Sequence, residues 1–572
     1  MIRSLVSIAA LLLGSGSALT ITKPPARGPF LDQVDNNTWI IGNELWNLTQ
    51  GPQYGVKLFY KDHDCVGDAF GHYVSYNGAA SDLAWTSASV VSEGRYKGAR
   101  YIDVKFTAQE GDFHWVIFSG LAGAYQYFVN HALPPLGEFR TLWRLDNSTF
   151  THGKTNLRDE ELPHLEDYLD ANYVQDSTWL KPDGSGYITK YDFTSWVRTL
   201  AYYGVYGQGF GSWYINAGKD YFNGNHLKQE LLVHRESDTG DSVQLNMIHG
   251  THYQVSTVDH FADGRTWGPW LWYLNEGSHS DVSRRAQQEF AEWPYPWLKD
   301  KAYQARGTVK GTLKLSDGRR AAHAAVFLGD NHPNKSALDQ GAAYYYTGYT
   351  DARGAFEFKD VRAATYGLQA WSNGSKLADV TTSFLQNDVV VQAGKTANLR
   401  SLDWAVSRRE KVFQIGDFDR TSYGFHLGGA PYTHALSEEC PADLLYAVGQ
   451  STSQDWCFVQ THLGNWTITF DAAAPAEKQT AMLIVSLAGY ASGTSSTILA
   501  NGVKIGNLTS DTPPLRNDGT IYRSATTAGE WRYFEFPFDA SLLRETENEI
   551  TFQVTKSSTW KGFLWDSVVL EW

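Results

Sequence analysis

Tyr101-Ile102-Asp103-Val104-Lys105-Phe106, followed by Trp115-Val116-Ile117-Phe118, reads as two short β-strands, rich in aromatic and β-branched residues. Similar runs, bounded by Gly, Asn and Asp, recur at Val309 to Leu315, Val389-Val390-Val391 and Trp466-Thr467-Ile468-Thr469-Phe470. Helix-period patterns are scarce. One helix is predicted around Ser283–Trp293, where Arg and Gln surround Ala286 and Phe290. The fold class is therefore all-β, made of sandwiches.

Working outward, 572 residues give a prior of three to four domains. Trp293-Pro294-Tyr295-Pro296-Trp297 reads as a stiff, extended connector. After it, Arg306-Gly307-Thr308-Val309-Lys310-Gly311 opens a small module with turns at Asp317-Gly318 and Thr350-Asp351-Ala352-Arg353-Gly354. Such turns between alternating strands fit a seven-stranded, fibronectin- or transthyretin-like sandwich. The pattern changes again near Leu402-Asp403-Trp404, and Phe413-Gln414-Ile415-Gly416-Asp417-Phe418-Asp419 opens a third unit that the tail Gly562 to Trp572 closes. The expected boundaries are 19–300, 301–400 and 401–572, after a leader at 1–18.

That leader has Arg3, the apolar run Leu5 to Leu13, and Gly16-Ser17-Ala18 as a small-residue cleavage site, which is a secretory signal. An extracellular protein is expected, with no later stretch long and apolar enough for a membrane span. Sequons at Asn36, Asn47, Asn147, Asn334, Asn373, Asn465 and Asn507 point the same way, to N-glycans on exposed loops and a eukaryotic source. Three cysteines make no disulfide scaffold; Cys440 and Cys457 are close enough to bridge, and Cys65 is left as a buried free thiol. A net charge of −14 argues against nucleic acid and anionic membranes. With 21 Trp and 32 Tyr, the chain carries many flat faces of the kind that stack on sugar rings, although β-proteins use aromatics in strands anyway.

The order of parts resembles polysaccharide lyase family 4, the fungal and plant rhamnogalacturonan lyases. The carriers are Trp39-Ile40-Ile41-Gly42-Asn43, Gly71-His72-Tyr73-Val74-Ser75-Tyr76, Gly137-Glu138-Phe139-Arg140-Thr141-Leu142-Trp143-Arg144 and Thr189-Lys190-Tyr191. His249-Gly250-Thr251-His252-Tyr253 and Gly416-Asp417-Phe418-Asp419-Arg420 complete the set. The resemblance implies a large catalytic N-terminal β-sandwich, then a fibronectin-type-III-like domain, then a jelly-roll domain similar to carbohydrate-binding modules. It also implies a monomeric endolyase whose partner is rhamnogalacturonan I, cleaved by β-elimination between rhamnose and galacturonate.

Such a lyase needs a cation on the galacturonate carboxylate, a base for the C5 proton and an acid for the leaving oxygen. The resemblance assigns Arg140 and Arg144 as paired cations, Lys190 as base and His252 as acid. Residues four apart share a face in helix or strand, so the arginines were expected to converge on one carboxylate. His249 is the competing histidine, and this chain has Leu245-Asn246-Met247 where tyrosines are expected. Tyr191, Trp196, Trp213 and Tyr253 are candidates to stack on sugar or to pack a core; His72 is structural or lines the cleft. No cofactor is expected in catalysis. His249 and His252 alone are a weak metal signal, and Asp417 and Asp419 are candidates for a structural Ca²⁺. Two other classes compete. A glycoside hydrolase would draw its carboxyls from Asp159-Glu160-Glu161, Glu166 and Asp167, which otherwise form a solvated loop, and a lectin would use the aromatics alone.

Overall fold

Ile102, Val104 and Phe106 alternate inward along the strand Ala99–Thr107, so the run that announces the fold is also part of its core. The computed structural model describes residues 24–25, 27–77, 82–253, 258–332, 344–474, 477–510 and 515–572; the leader and the sequon at Asn334 lie outside them. The described chain is almost entirely β, and its main helix is His279–Glu292.

Two nine-stranded antiparallel sheets form the first unit. In the first sheet, Gly71–Tyr76, Phe139–Leu145, Ser242–His249 and Val233–Arg235 run side by side at one end. In the second, Thr266–Asn275, Gly123–Asn130 and Gly111–Phe118 are central. Tryptophans from both sheets close the space between them: Trp143 stacks on Trp272 at 4.5 Å, and Trp46 meets Trp272 edge-on at 5.3 Å. Each buries roughly 200 Å², on the order of 5 kcal/mol at about 25 cal/mol per Å². Much of the aromatic excess is therefore core, Trp213 included, which is wholly buried.

The helix lays Val282 and Ala286 on the outer face of the second sheet. The Trp293 to Trp297 segment is not the extended connector expected: it turns at Pro296-Trp297, where the Leu298 N–H donates to the Tyr295 carbonyl at 3.3 Å, and Tyr295 and Trp297 are buried in the same cluster, against Tyr125. A sandwich of three and four strands follows, from Arg306–Leu315 to Thr396–Trp404. Its strands number seven among the described residues. Asp220 of the first unit takes Arg306 at 3.0 Å and Arg362 at 2.9 Å, all buried, and so locks the first two units together.

Two five-stranded sheets make the last unit, with Phe563–Glu571 paired to Lys411–Ile415 as its closing strand. Cys440 and Cys457 are bonded there, and Cys65 is a buried free thiol. Asn36, Asn147, Asn373 and Asn465 are exposed and Asn507 half-buried. Asn47 is a correction: it lies inside the first sheet, fully buried, where no glycan has room.

Candidate active site

The strand Phe139–Leu145 sends Phe139, Trp143 and Leu145 into the core and Arg140, Leu142 and Arg144 to the outer face of the first sheet. Register fixes their neighbours on that face. Arg140 lies between Ser75 and Met247, Leu142 between Tyr73 and Leu245, and Arg144 between Gly71 and Val243. Val243 in turn pairs with His234.

The two arginines project from one face of the sheet, each holding its own carboxylate. Four residues of strand span roughly 13 Å, and the side chains take separate partners. Arg144 pairs with Glu236 at 2.5 Å and Asp241 at 3.6 Å, whereas Arg140 is 3.8 Å from Glu138. Tyr73 lies between them, with both guanidiniums pulling its hydroxyl down against the larger upward push of burial. Phe70, nearly half exposed, lies under the Arg144 guanidinium at 5.0 Å.

Lys190 joins the Arg144 end. It follows the strand Tyr187–Thr189 and starts a short 3-10 turn, where the Thr189 hydroxyl accepts from the Tyr191 N–H. Its ammonium donates to Glu236 at 2.6 Å, so one carboxylate serves Lys190 and Arg144 together. Burial would raise Glu236, but the His234 ring and Lys190 outweigh it and hold the carboxyl well below its usual range. Burial pushes His234 down to about 4, which leaves a neutral imidazole 3.9 Å from Glu236.

The two histidines part at Gly250. Its φ is +88°, and a Cβ there would meet the Gly137 carbonyl at 2.2 Å, so only glycine makes this turn. Before it, His249 points inward beside Phe139 and is fully buried, bonded to Asp259 at 3.1 Å. After it, His252 keeps a partly exposed ring whose Nδ1 meets Glu230. Glu230 is buried and also lies 3.7 Å from buried Lys228. Tyr191 links the two centres, with its ring 6.0 Å from that of His252.

Tyr191 and Tyr253 are buried and therefore do not offer faces to sugar. They fill an apolar cluster with Leu142, Leu245 and Met247, over which Tyr432 and Ala525 of the last unit close. Arg523 of that unit pairs with Asp176 at 2.6 Å and covers the Tyr191 ring at 5.0 Å. Trp196 is only partly buried.

The remaining candidates sit elsewhere. His72 faces the core, bonded to Thr141 and walled by Trp115 and Trp143, with burial lowering it to about 3. Asp159–Glu161 is an exposed edge strand of the second sheet rather than a loop, paired with His152–Lys154. Glu166 and Asp167 belong to the short helix Leu165–Asp170. Asp419 accepts from Thr421, and Asp417 from the Ser375 N–H. Among the described residues no group of three or more His, Cys, Asp or Glu is placed to hold a metal.

Tyr73 lay inside Gly71-His72-Tyr73, read as structural or lining the cleft. Sequence reasoning missed His234, Glu236, Glu230, Lys228 and Arg523; Glu236 and Glu230 carried no local signal, because sheet register and tertiary packing bring them in.

Two family models match the chain: "Polysaccharide lyase family 4, domain II" at residues 305–399 and "Polysaccharide lyase family 4, domain III" at 411–570. A rhamnogalacturonate lyase of Dickeya dadantii is 33% identical over 471 residues, covering 79% of this chain and 78% of that protein. A probable rhamnogalacturonate lyase B of Aspergillus flavus is 24% identical, covering 93% and 89%. A probable rhamnogalacturonate lyase C of Aspergillus oryzae is 22% identical, covering 96% and 88%.

Proposed function

The chain belongs to polysaccharide lyase family 4, and from that premise we propose that it is an extracellular endolyase of rhamnogalacturonan I. The bond cleaved joins rhamnose to O4 of galacturonate. Neutral Lys190 takes the C5 proton, the C5–H electron pair becomes the C4=C5 double bond, and the C4–O4 bond breaks. O4 leaves with the C4–O4 bonding pair and takes a proton from His252. Arg144 meets the substrate carboxylate and stabilises the charge that develops on it. Tyr73 and Phe70 replace Tyr191 and Tyr253 as the ring-facing aromatics.

The observation that carries this reading is the shared outer face of the first sheet. Over it lie an arginine–carboxylate–lysine cluster and a carboxylate-bound histidine, joined through Tyr191, which follows Lys190 and has its ring 6.0 Å from that of His252. The cations are local, as an acidic polymer demands of a protein with a net charge of −14.

Purified protein is incubated with rhamnogalacturonan I and, separately, with homogalacturonan while ultraviolet absorbance is followed. Absorbance from the conjugated double bond is expected on the first polymer and little on the second. Chain shortening without absorbance points to hydrolysis, and equal rates on both polymers point to a pectate lyase; either result sinks the proposal.

A further inference from the structure

Behind the partly exposed His252 ring lie two buried charges, Glu230 and Lys228, to which the proposed reaction gives no role. The His252 Nδ1 contacts Glu230 Oε1, and the His252 backbone N–H is 3.3 Å from the same oxygen. A carboxylate only accepts, so Nδ1 carries a hydrogen and Nε2 is the nitrogen that faces substrate. Behind Glu230, the Lys228 ammonium donates to the Gly250 carbonyl and to Asn223 Oδ1 at 3.2 Å, and lies 3.7 Å from Glu230 Oε2. Lys228 is wholly buried and Glu230 nearly so.

We propose that Glu230 is the positioning residue that fixes His252 as a proton donor through Nε2, and that Lys228 sets how much of the Glu230 charge His252 receives. The inference rests on the role given to His252 above. Burial alone would raise Glu230, yet the charges of His252 and Lys228 hold it below its ordinary value, so it stays an anion in the fold. Burial brings Lys228 down to about 8, so the ammonium persists at neutral pH but is weakly held. Among the described residues, the Tyr191 ring and the Arg523 guanidinium also face His252; Arg523 binds the His252 carbonyl and is itself tied to Asp176. Neither touches the imidazole nitrogens.

The two partners act on the same ring with opposite signs, and the test uses this. Activity that needs protonated His252 fails on the alkaline side. Glu230→Gln removes an anion and moves that alkaline limb to lower pH; Lys228→Met removes a competing cation and moves it to higher pH. For Glu230→Gln, kcat falls by on the order of 10–100-fold, less than loss of the acid itself, with KM nearly unchanged. A structural defect lowers activity without moving the limbs in opposite directions.

NMR titration of labelled His252 in the free full-length protein reads the same opposite shifts without substrate. Opposite shifts by NMR uphold the inference even if no polymer proves to be a substrate, in which case the reaction assignment fails alone. Equal, like-signed or absent shifts in folded variants overturn it.

Discussion

The ammonium of Lys190 lies 2.6 Å from Oε1 of Glu236. The proposed base is thus bound to an anion that favours its charged form, and the same anion occupies Arg144, the cation meant for substrate. In the proposed reaction Glu236 would hold the place of the galacturonate carboxylate and restrain the base.

Glu236→Gln therefore changes two quantities in a fixed direction. The neutral amide no longer competes with the substrate carboxylate, so KM falls several-fold. The acidic limb of kcat/KM, where the base loses activity on protonation, moves to lower pH, because the variant removes an anion within hydrogen-bond distance of the base. A limb that stays in place or moves upward means that Lys190 is not the titrating base.

Lys190→Ala and His252→Ala each lower kcat by roughly 10²–10⁴-fold, the range of general acid–base groups. Lys190→Arg does not restore activity, because a guanidinium stays protonated. His249→Ala acts differently: it removes a fully buried ring and leaves Asp259 without that partner, so unfolding temperature falls while turnover of the folded fraction stays nearly normal. Steady-state rates beside thermal unfolding curves separate His249→Ala from the other three variants. Near-normal turnover in folded Lys190→Ala rejects the mechanism.

The strands were readable because each obeys a local rule. Ile102, Val104 and Phe106 alternate, and the outward spacing of Arg140 and Arg144 follows from the same period of two. What was not readable is register and depth. Tyr191 and Tyr253 look like sugar platforms in one dimension, but Tyr432 and Ala525 from a distant unit cover them. Asn47 looks like any sequon until the sheet closes over it. Gly250 was readable: the resemblance places the catalytic histidine after a glycine, and in the fold this glycine's turn separates the inward His249 from the partly exposed His252.

Because the site holds its cations on side chains, exhaustive chelation leaves the elimination rate largely intact at a temperature where the fold persists. Arg144→Ala raises KM and lowers kcat together, by at least tenfold in kcat/KM. Arg140→Ala has the smaller effect, because Arg140 lies at the far end of the strand from Lys190. Loss of activity on chelation without unfolding, restored by Ca²⁺, counts against this role for the arginines.

Asp220 ties two units through Arg306 and Arg362, and its side chain is almost wholly buried. Asp220→Ala leaves two buried guanidiniums without that partner, which costs about 3–5 kcal/mol. Denaturant unfolding followed by tryptophan fluorescence should show that loss, with the first two units unfolding less cooperatively. A change below about 1 kcal/mol contradicts the lock.

His72 supplies a pH dependence whose sign is fixed by burial. Packed among Trp115, Trp143 and Phe113, it is lowered to about 3 from an ordinary value of about 6.5. Above pH 6.5 the ring is neutral in both folded and unfolded chains, and it contributes no pH dependence. Between 6.5 and 3 the unfolded chain binds a proton that the folded one refuses, so stability falls as pH falls. At pH 5 the gap is about 1.5 units, or roughly 2 kcal/mol lost relative to pH 7. His72→Gln is uncharged throughout, so its stability at pH 7 drops through repacking, but its further loss between pH 7 and 5 is smaller than wild type by about those 2 kcal/mol. Calorimetry of both proteins at the two pH values checks this. Parallel losses in the two proteins mean that His72 is protonated in the fold or reached by water, and that the core around Trp143 is less closed than described.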